Sequence, residues 1–345
     1  MKKKTSIVLL LFLCFTCAEE SAEPVGENNT IEFETSPSPI PLGDIQASFI
    51  QNISYGPDER NVFDIYLPTS EAPTPLVIYI HGGGFLGGEK ENAYTSLWNG
   101  TWDFPSEIRL LLSENIAFAS INYRLLAFEG DQEGVIKPLS DSKRCLQYIR
   151  SISPDLNIDP YNIVLCGSSA GAGTSQWLAF SDDMADPNNE DPVLRESTRV
   201  NGFAVKATQA SYDLLRYESD IFNDYNFSWL AYFEMDPSMQ DRFMSFYGID
   251  QLSEFNSVEI TNYRQNIDML GMLSSDDPEF WVSNPQNPVV EPTQANILNH
   301  HAYHARTLKE FADAVGVPNV IFHAEYEDPS GEEVVDFMIR KAKEN

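Results

Sequence analysis

The segment "PLVIYIHGGG" runs from a stretch with no polar position into three glycines, Gly82 to Gly84. A strand that is apolar at every position has no face to offer water, so it must be covered on both sides, as in a parallel sheet flanked by helices. "IAFASINYRL" (116–125) and "NIVLCG" (162–167) repeat the pattern. Between them, "FPSEIRLLLSEN" and "LSDSKRCLQYIRSI" space their apolar residues as helices do. Strand–helix–strand alternation of this kind predicts an α/β fold: a mostly parallel, twisted sheet with helices on both faces.

The flanking segments extend the pattern. "ASFIQNISYG" and "NVFDIYLP" read as two strands joined by a turn at Gly56, Pro57 and Asp58. "AGTSQWLAF" reads as a helix and residues 201–210 as a further strand. Residues 211–272 are rich in aromatics and carry no strand pattern, which predicts a helical cap inserted over the sheet. "PEFWVSN" returns as a strand. A helix then opens with Asn299 as N-cap and stops at Gly316, before a last strand, "NVIFHAEY", and a last helix, "EEVVDFMIRKAK".

The start of the chain reads as a signal. Lys2, Lys3 and Lys4 precede the short apolar run "SIVLLLFLCFT", which stops at Thr16-Cys17. The expected organisation is a lipoprotein-type signal over 1–17, a flexible tether over 18–44, and one domain over 45–345. Cys17 would be lipidated, placing the protein outside the cytoplasm, either secreted or held at the cell envelope. That anchor would be its only membrane contact. The net charge of −30 argues against nucleic acid, whose phosphates need Lys and Arg in excess. Cys145 and Cys166 form no metal-binding spacing and read as buried thiols.

Two motifs carry chemistry. "GSSAG" (167–171) matches G-x-S-x-G between an apolar strand and a helix, the context in which a serine is held exposed on a tight turn. "HGGGF" (81–85) ends a strand with glycines whose N–H groups can approach a developing oxyanion. No Lys follows in a P-loop arrangement, so phosphate binding is the poorer reading. His81 reads as a structural residue that holds the glycine loop.

Together the two motifs resemble the α/β-hydrolases of the hormone-sensitive-lipase and carboxylesterase type. "FDIYLP", "VIYIHGGGF", "INYRL" and "NIDPYNIVLCGSSAGA" fit that family in order and spacing. The resemblance implies Ser169 as nucleophile, with an oxyanion hole formed by the N–H groups of Gly83, Gly84 and Ala170. It implies no metal and no organic cofactor. The substrate would be a small-molecule carboxylic ester; the expected location outside the cytoplasm is the sole ground for placing the acyl group on a carbohydrate.

Two positions depart from the family pattern. Asn287 stands where the acid is expected, and "EYEDPSGEE" holds no histidine where the base is expected. A hydrolase with a rearranged triad and an inactive, ligand-binding scaffold therefore both remain open. Three of the five histidines crowd at His300, His301 and His304. If one helix runs through them, His301 and His304 share the apolar face of Leu308, Phe311, Ala312 and Val315 and turn towards the sheet. His301 is then the expected base and His304 a core residue. His300 remains an alternative base, and its i, i+4 spacing to His304 leaves metal ligation a minor alternative. Asp213, Glu327 and Asp328 are the candidate acids.

Overall fold

In the computed structural model, which describes residues 31–96 and 102–344, the strands join one sheet in the order β1-β2-β4-β3-β5-β6-β7-β8. They are β1 (Ala47–Ser54), β2 (Val62–Pro68), β3 (Thr74–Ile80), β4 (Ala117–Ile121), β5 (Ile158–Ser168), β6 (Gly202–Lys206), β7 (Phe280–Asn284) and β8 (Asn319–His323). β1 pairs antiparallel with β2, and β2 antiparallel with β4. Every pair from β4 onward is parallel.

The α-helices are α1 (Phe104–Ser113), α2 (Ile136–Ser151), α3 (Ser153–Leu156), α4 (Ala170–Phe180), α5 (Trp229–Met235), α6 (Ser238–Tyr247), α7 (Val258–Gln265), α8 (Met269–Met272), α9 (Ala295–His300), α10 (Ala302–Val315) and α11 (Val334–Ala342). They split over the two faces of the sheet as the unbroken apolar strands require. Val77 and Tyr79 of β3 pack in one core with Phe104 and Ile108 of α1 and Phe337 of α11. Leu76, Ile78 and Ile80 pack in the other with residues of α2, α4 and α10. Alternate side chains of a strand point to opposite faces, so each face of β3 contributes to a separate apolar layer.

The structure differs from the sequence reading in three places. The expected strand 201–210 stops at Lys206, where Ala207 turns to φ 55°. The expected tether does not reach Asp44: Ile40 is buried in the core and the Ser36 N–H donates to the Phe49 carbonyl. The signal, Cys17 and residues 18–30 lie outside the described residues. Most consequential is the histidine helix, which is two helices rather than one starting from Asn299. α9 ends at His300, His301 is extended (φ −58°, ψ 146°), and α10 begins at Ala302. The Asn284 amide at the end of β7 donates to the His301 carbonyl, and the His301 side chain caps α10 by accepting from the Tyr303 N–H.

Residues 211–272 carry α5 to α8 and no strand. They lie in the connection between β6 and β7, and their side chains reach over the edge of the sheet at which β3 and β5 end.

Candidate active site

β3 and β5 are parallel neighbours in register, Ile80 opposite Gly167, so the loops that follow them emerge side by side. Clefts beyond the carboxyl ends of the strands are where open α/β sheets collect ligands. After β5 the chain turns sharply into α4 through Ser169, whose φ is 51° and ψ −120°. A non-glycine residue rarely holds such a conformation, and the surrounding packing must enforce it. The next turn of the chain packs hard against the end of β3: a Cβ on Gly171 would collide with the carbonyl groups of Ile80 and His81. The glycine is what lets the elbow sit that close.

Ser169 Oγ lies 2.8 Å from His300 Nε2. One helical turn earlier on α9, Asn296 Oδ1 lies 2.9 Å from His300 Nδ1. An amide oxygen accepts, so the proton sits on Nδ1 and the Nε2 lone pair faces the serine hydroxyl. Burial, and secondarily the Arg242 charge, lower the His300 pKa to about 4. The ring is therefore neutral at pH 7 and able to take a proton.

The glycine loop is held from beneath. The His81 ring stacks on Tyr123 at 4.2 Å and its Nδ1–H donates to the Gly82 carbonyl at 2.7 Å. The Tyr123 hydroxyl donates to the His81 carbonyl at 2.7 Å. Burial lowers the His81 pKa to about 4, so this ring too is neutral. The N–H groups of Gly83 and Gly84 donate to no described residue. Ala170 is the first residue of α4, where an N–H has no intrahelical acceptor. Gly83, Gly84, Ser169, Ala170 and His300 all line one cavity of about 580 Å³, roofed by aromatic side chains that include Trp229 and Phe243.

The structure does not place His301 on the serine. Its ring is fully buried, with Nε2 directed at the Val290 carbonyl at 3.2 Å and Nδ1 accepting from Tyr303 N–H at 3.1 Å. The break after α9 is the physical reason. A continuous helix would have turned His301 to the sheet and His300 away, whereas the extended residue re-aims both. His304 lies in the core, its Nε2 on the Leu298 carbonyl and its Nδ1 accepting from Ala210 N–H.

None of the candidate acids hydrogen-bonds a histidine. Asp213 is clasped by Arg264 through two bonds of 2.9 and 3.0 Å. Asp328 accepts from the Ser330 N–H, and Glu327 is exposed on the same loop. The Asn287 side chain, at the family's acid position, accepts from the nearby Val289 N–H. The residue missed by sequence reasoning is Asn296. Its spacing of four from His300 was the available signal, since residues i and i+4 adjoin on a helix.

The BD-FAE family model matches residues 63–225, from β2 through both glycine motifs. A truncated carbohydrate esterase from gut microbiota superposes with a TM-score of 0.59 over 87% of this chain and 98% of that one, at 17% identity. The chain has the α/β-hydrolase fold, and its BD-FAE match is of that type. Esterase B from Lactobacillus rhamnosis, solved with a tributyrin phosphonate inhibitor, shares the α/β-hydrolase fold with a TM-score of 0.55 at 16% identity, over 86% of this chain and 85% of that one. In sequence, the chain is 27% identical over 44% of its length to a probable isoprenylcysteine alpha-carbonyl methylesterase of Arabidopsis thaliana. It is 30% identical over 36% of its length to Esterase B1 of Culex pipiens. The chain spans 29% and 23% of those two curated relatives.

Proposed function

We propose that the protein is a serine-dependent carboxylic-ester hydrolase whose base is His300, oriented by Asn296. The contact of 2.8 Å between Ser169 Oγ and His300 Nε2, on a strained elbow beside free glycine N–H groups, carries this reading. In it, His300 Nε2 takes the hydroxyl proton as Ser169 Oγ attacks the ester carbonyl. The N–H groups of Gly83, Gly84 and Ala170 receive the oxyanion of the tetrahedral intermediate. His300 returns the proton to the departing alkoxide, leaving an acyl-serine. A water molecule, deprotonated by the same ring, then releases the acid and restores the serine. The imidazolium formed on the way is held by Asn296 without a compensating negative charge, so orientation is this partner's main service.

The esterase names among the sequence relatives and structural neighbours support the reaction class. The carbohydrate esterase among the neighbours supports an acyl group carried on a sugar. Hydrolysis of p-nitrophenyl acetate and butyrate by the purified protein, and its loss in Ser169→Ala, is the test. Turnover surviving at the wild-type rate in that variant would remove Ser169 from the mechanism.

A further inference from the structure

The chain carries 52 Asp and Glu residues and a net charge of −30, yet none of the described residues that line the cavity is acidic. Its lining includes one permanent cation, Arg242 of α6. Most of the other arginines of the domain are engaged: Arg60, Arg124, Arg144, Arg199, Arg216, Arg264, Arg306 and Arg340 each form an ion pair with a carboxylate. Arg242 makes no hydrogen bond or ion pair with any described residue. It is half-buried among Tyr217, Tyr232 and the other cap aromatics, and burial pulls its pKa below the usual guanidinium range. A charge withdrawn from water without a partner is costly, and a chain so rich in carboxylates would readily supply one.

The guanidinium also has a defined aim. Gly84 stands at φ +61°, and a Cβ there would strike Arg242 Nη2. The side chain therefore reaches down from the cap and lies against the glycine loop. It is close enough to His300 to depress that ring's proton affinity. Arg242 and Ser169 line the same cavity.

We propose that Arg242 is the binding group for an anionic substituent, a carboxylate in the first instance, on the ester substrate. The substrate class is then an acidic ester, with its charge a short reach from the scissile bond. This inference rests on the serine-hydrolase reading for the reaction, but not for the binding. A planar guanidinium offers a carboxylate two parallel N–H donors, which a lysine could not match. The surface charge of the protein repels such a substrate at long range. Discrimination must therefore come from contact in the cavity rather than from steering.

The experiment compares mono-p-nitrophenyl succinate and 4-acetoxybenzoate with p-nitrophenyl butyrate and phenyl acetate, in wild type, Arg242→Gln and Arg242→Lys. The first anionic ester carries its charge on the acyl side and the second on the alcohol side, so the pair also locates the subsite. Wild type should favour one anionic ester over its neutral counterpart in kcat/KM by at least about tenfold. Arg242→Gln should collapse that ratio, mainly through KM, and Arg242→Lys should retain part of it. Equal losses on neutral and anionic esters would overturn the proposal and make Arg242 an oxyanion donor instead. An unchanged ratio would overturn it outright. Calorimetric titration of Ser169→Ala with succinate and with benzoate supplies the independent arm. Binding that disappears in Ser169→Ala/Arg242→Gln supports the anion site even if no ester is cleaved. Absence of binding together with rapid neutral-ester turnover leaves the hydrolase reading intact and removes the anion site.

Discussion

Asn296→Asp places a carboxylate where the structure has a neutral acceptor 2.9 Å from His300 Nδ1. The new charge would sit roughly 4 Å from the centre of the imidazolium. At that separation a pair is worth about 1 kcal/mol in water and about 4 kcal/mol at an effective dielectric near 20. Asn296 is exposed, which weights the value to the watery end, about 1–2 kcal/mol. Since one pKa unit is about 1.4 kcal/mol, the His300 pKa should rise by about one unit. The base works in its neutral form, so activity falls as pH falls through this pKa. The acid limb of kcat/KM, near pH 4 in the native protein, should move up to near pH 5 in the variant. At pH 7 the ring is neutral in both proteins. There the carboxylate acts only on the imidazolium that develops in the transition state, and kcat should rise about five- to thirtyfold. Asn296→Ala is the companion: it frees the ring to flip or change tautomer and should lower kcat without raising the limb. The assay is a pH–rate profile on a neutral ester from pH 3.5 to 8. A limb that stays at its native position in Asn296→Asp would refute the His300–Asn296 contact as the source of ring orientation.

Two further outcomes follow from the same geometry. His300→Ala should lower kcat by at least about 100-fold with the circular dichroism spectrum unchanged. His301→Ala, which removes the α10 cap and the contact to Val290, should instead cost about 1–3 kcal/mol in a urea titration and lower kcat less than tenfold. Burial holds His81 and His300 at about 4 and His304 at about 3, all below the ordinary value of 6.5. In each case the unfolded chain takes up the proton first. Their contribution to stability is thus complete above pH 6.5 and lost progressively as pH falls towards 4, and calorimetric Tm should fall across that window. A Tm that is flat from pH 6.5 to 4 would contradict the neutral, buried state of these rings.

The sheet was legible in the sequence because β3, β4 and β5 are buried on both faces, and a strand buried on both faces has no polar positions to blur its pattern. The serine was legible because the elbow needs Gly171 locally, within four residues of chain. The base was not, because the feature that selects it is long-range. Asn284, seventeen positions before His301, holds the His301 carbonyl where the two helices part, while the apolar spacing continues through the break undisturbed. The orienting partner was harder still. Asn296 does not ionise, so a search among Asp and Glu passes over it, and the loop after β7 that carries the family's acid holds Asn287, which faces its own turn.

α9 is only six residues long, and it carries both the ring that faces the serine and the amide that orients that ring. The usual arrangement draws its three members from three separate loops, so three independent placements must agree. Here two members ride on a single rigid turn, and one placement remains: that turn against the elbow. In the proposed mechanism, the contact that sets base against nucleophile is the 2.8 Å across that junction, and the orientation of the ring does not depend on it. Under that mechanism, a substitution in residues 285–294, which lead into α9, would act on the rate by displacing this turn, without contributing a reacting group.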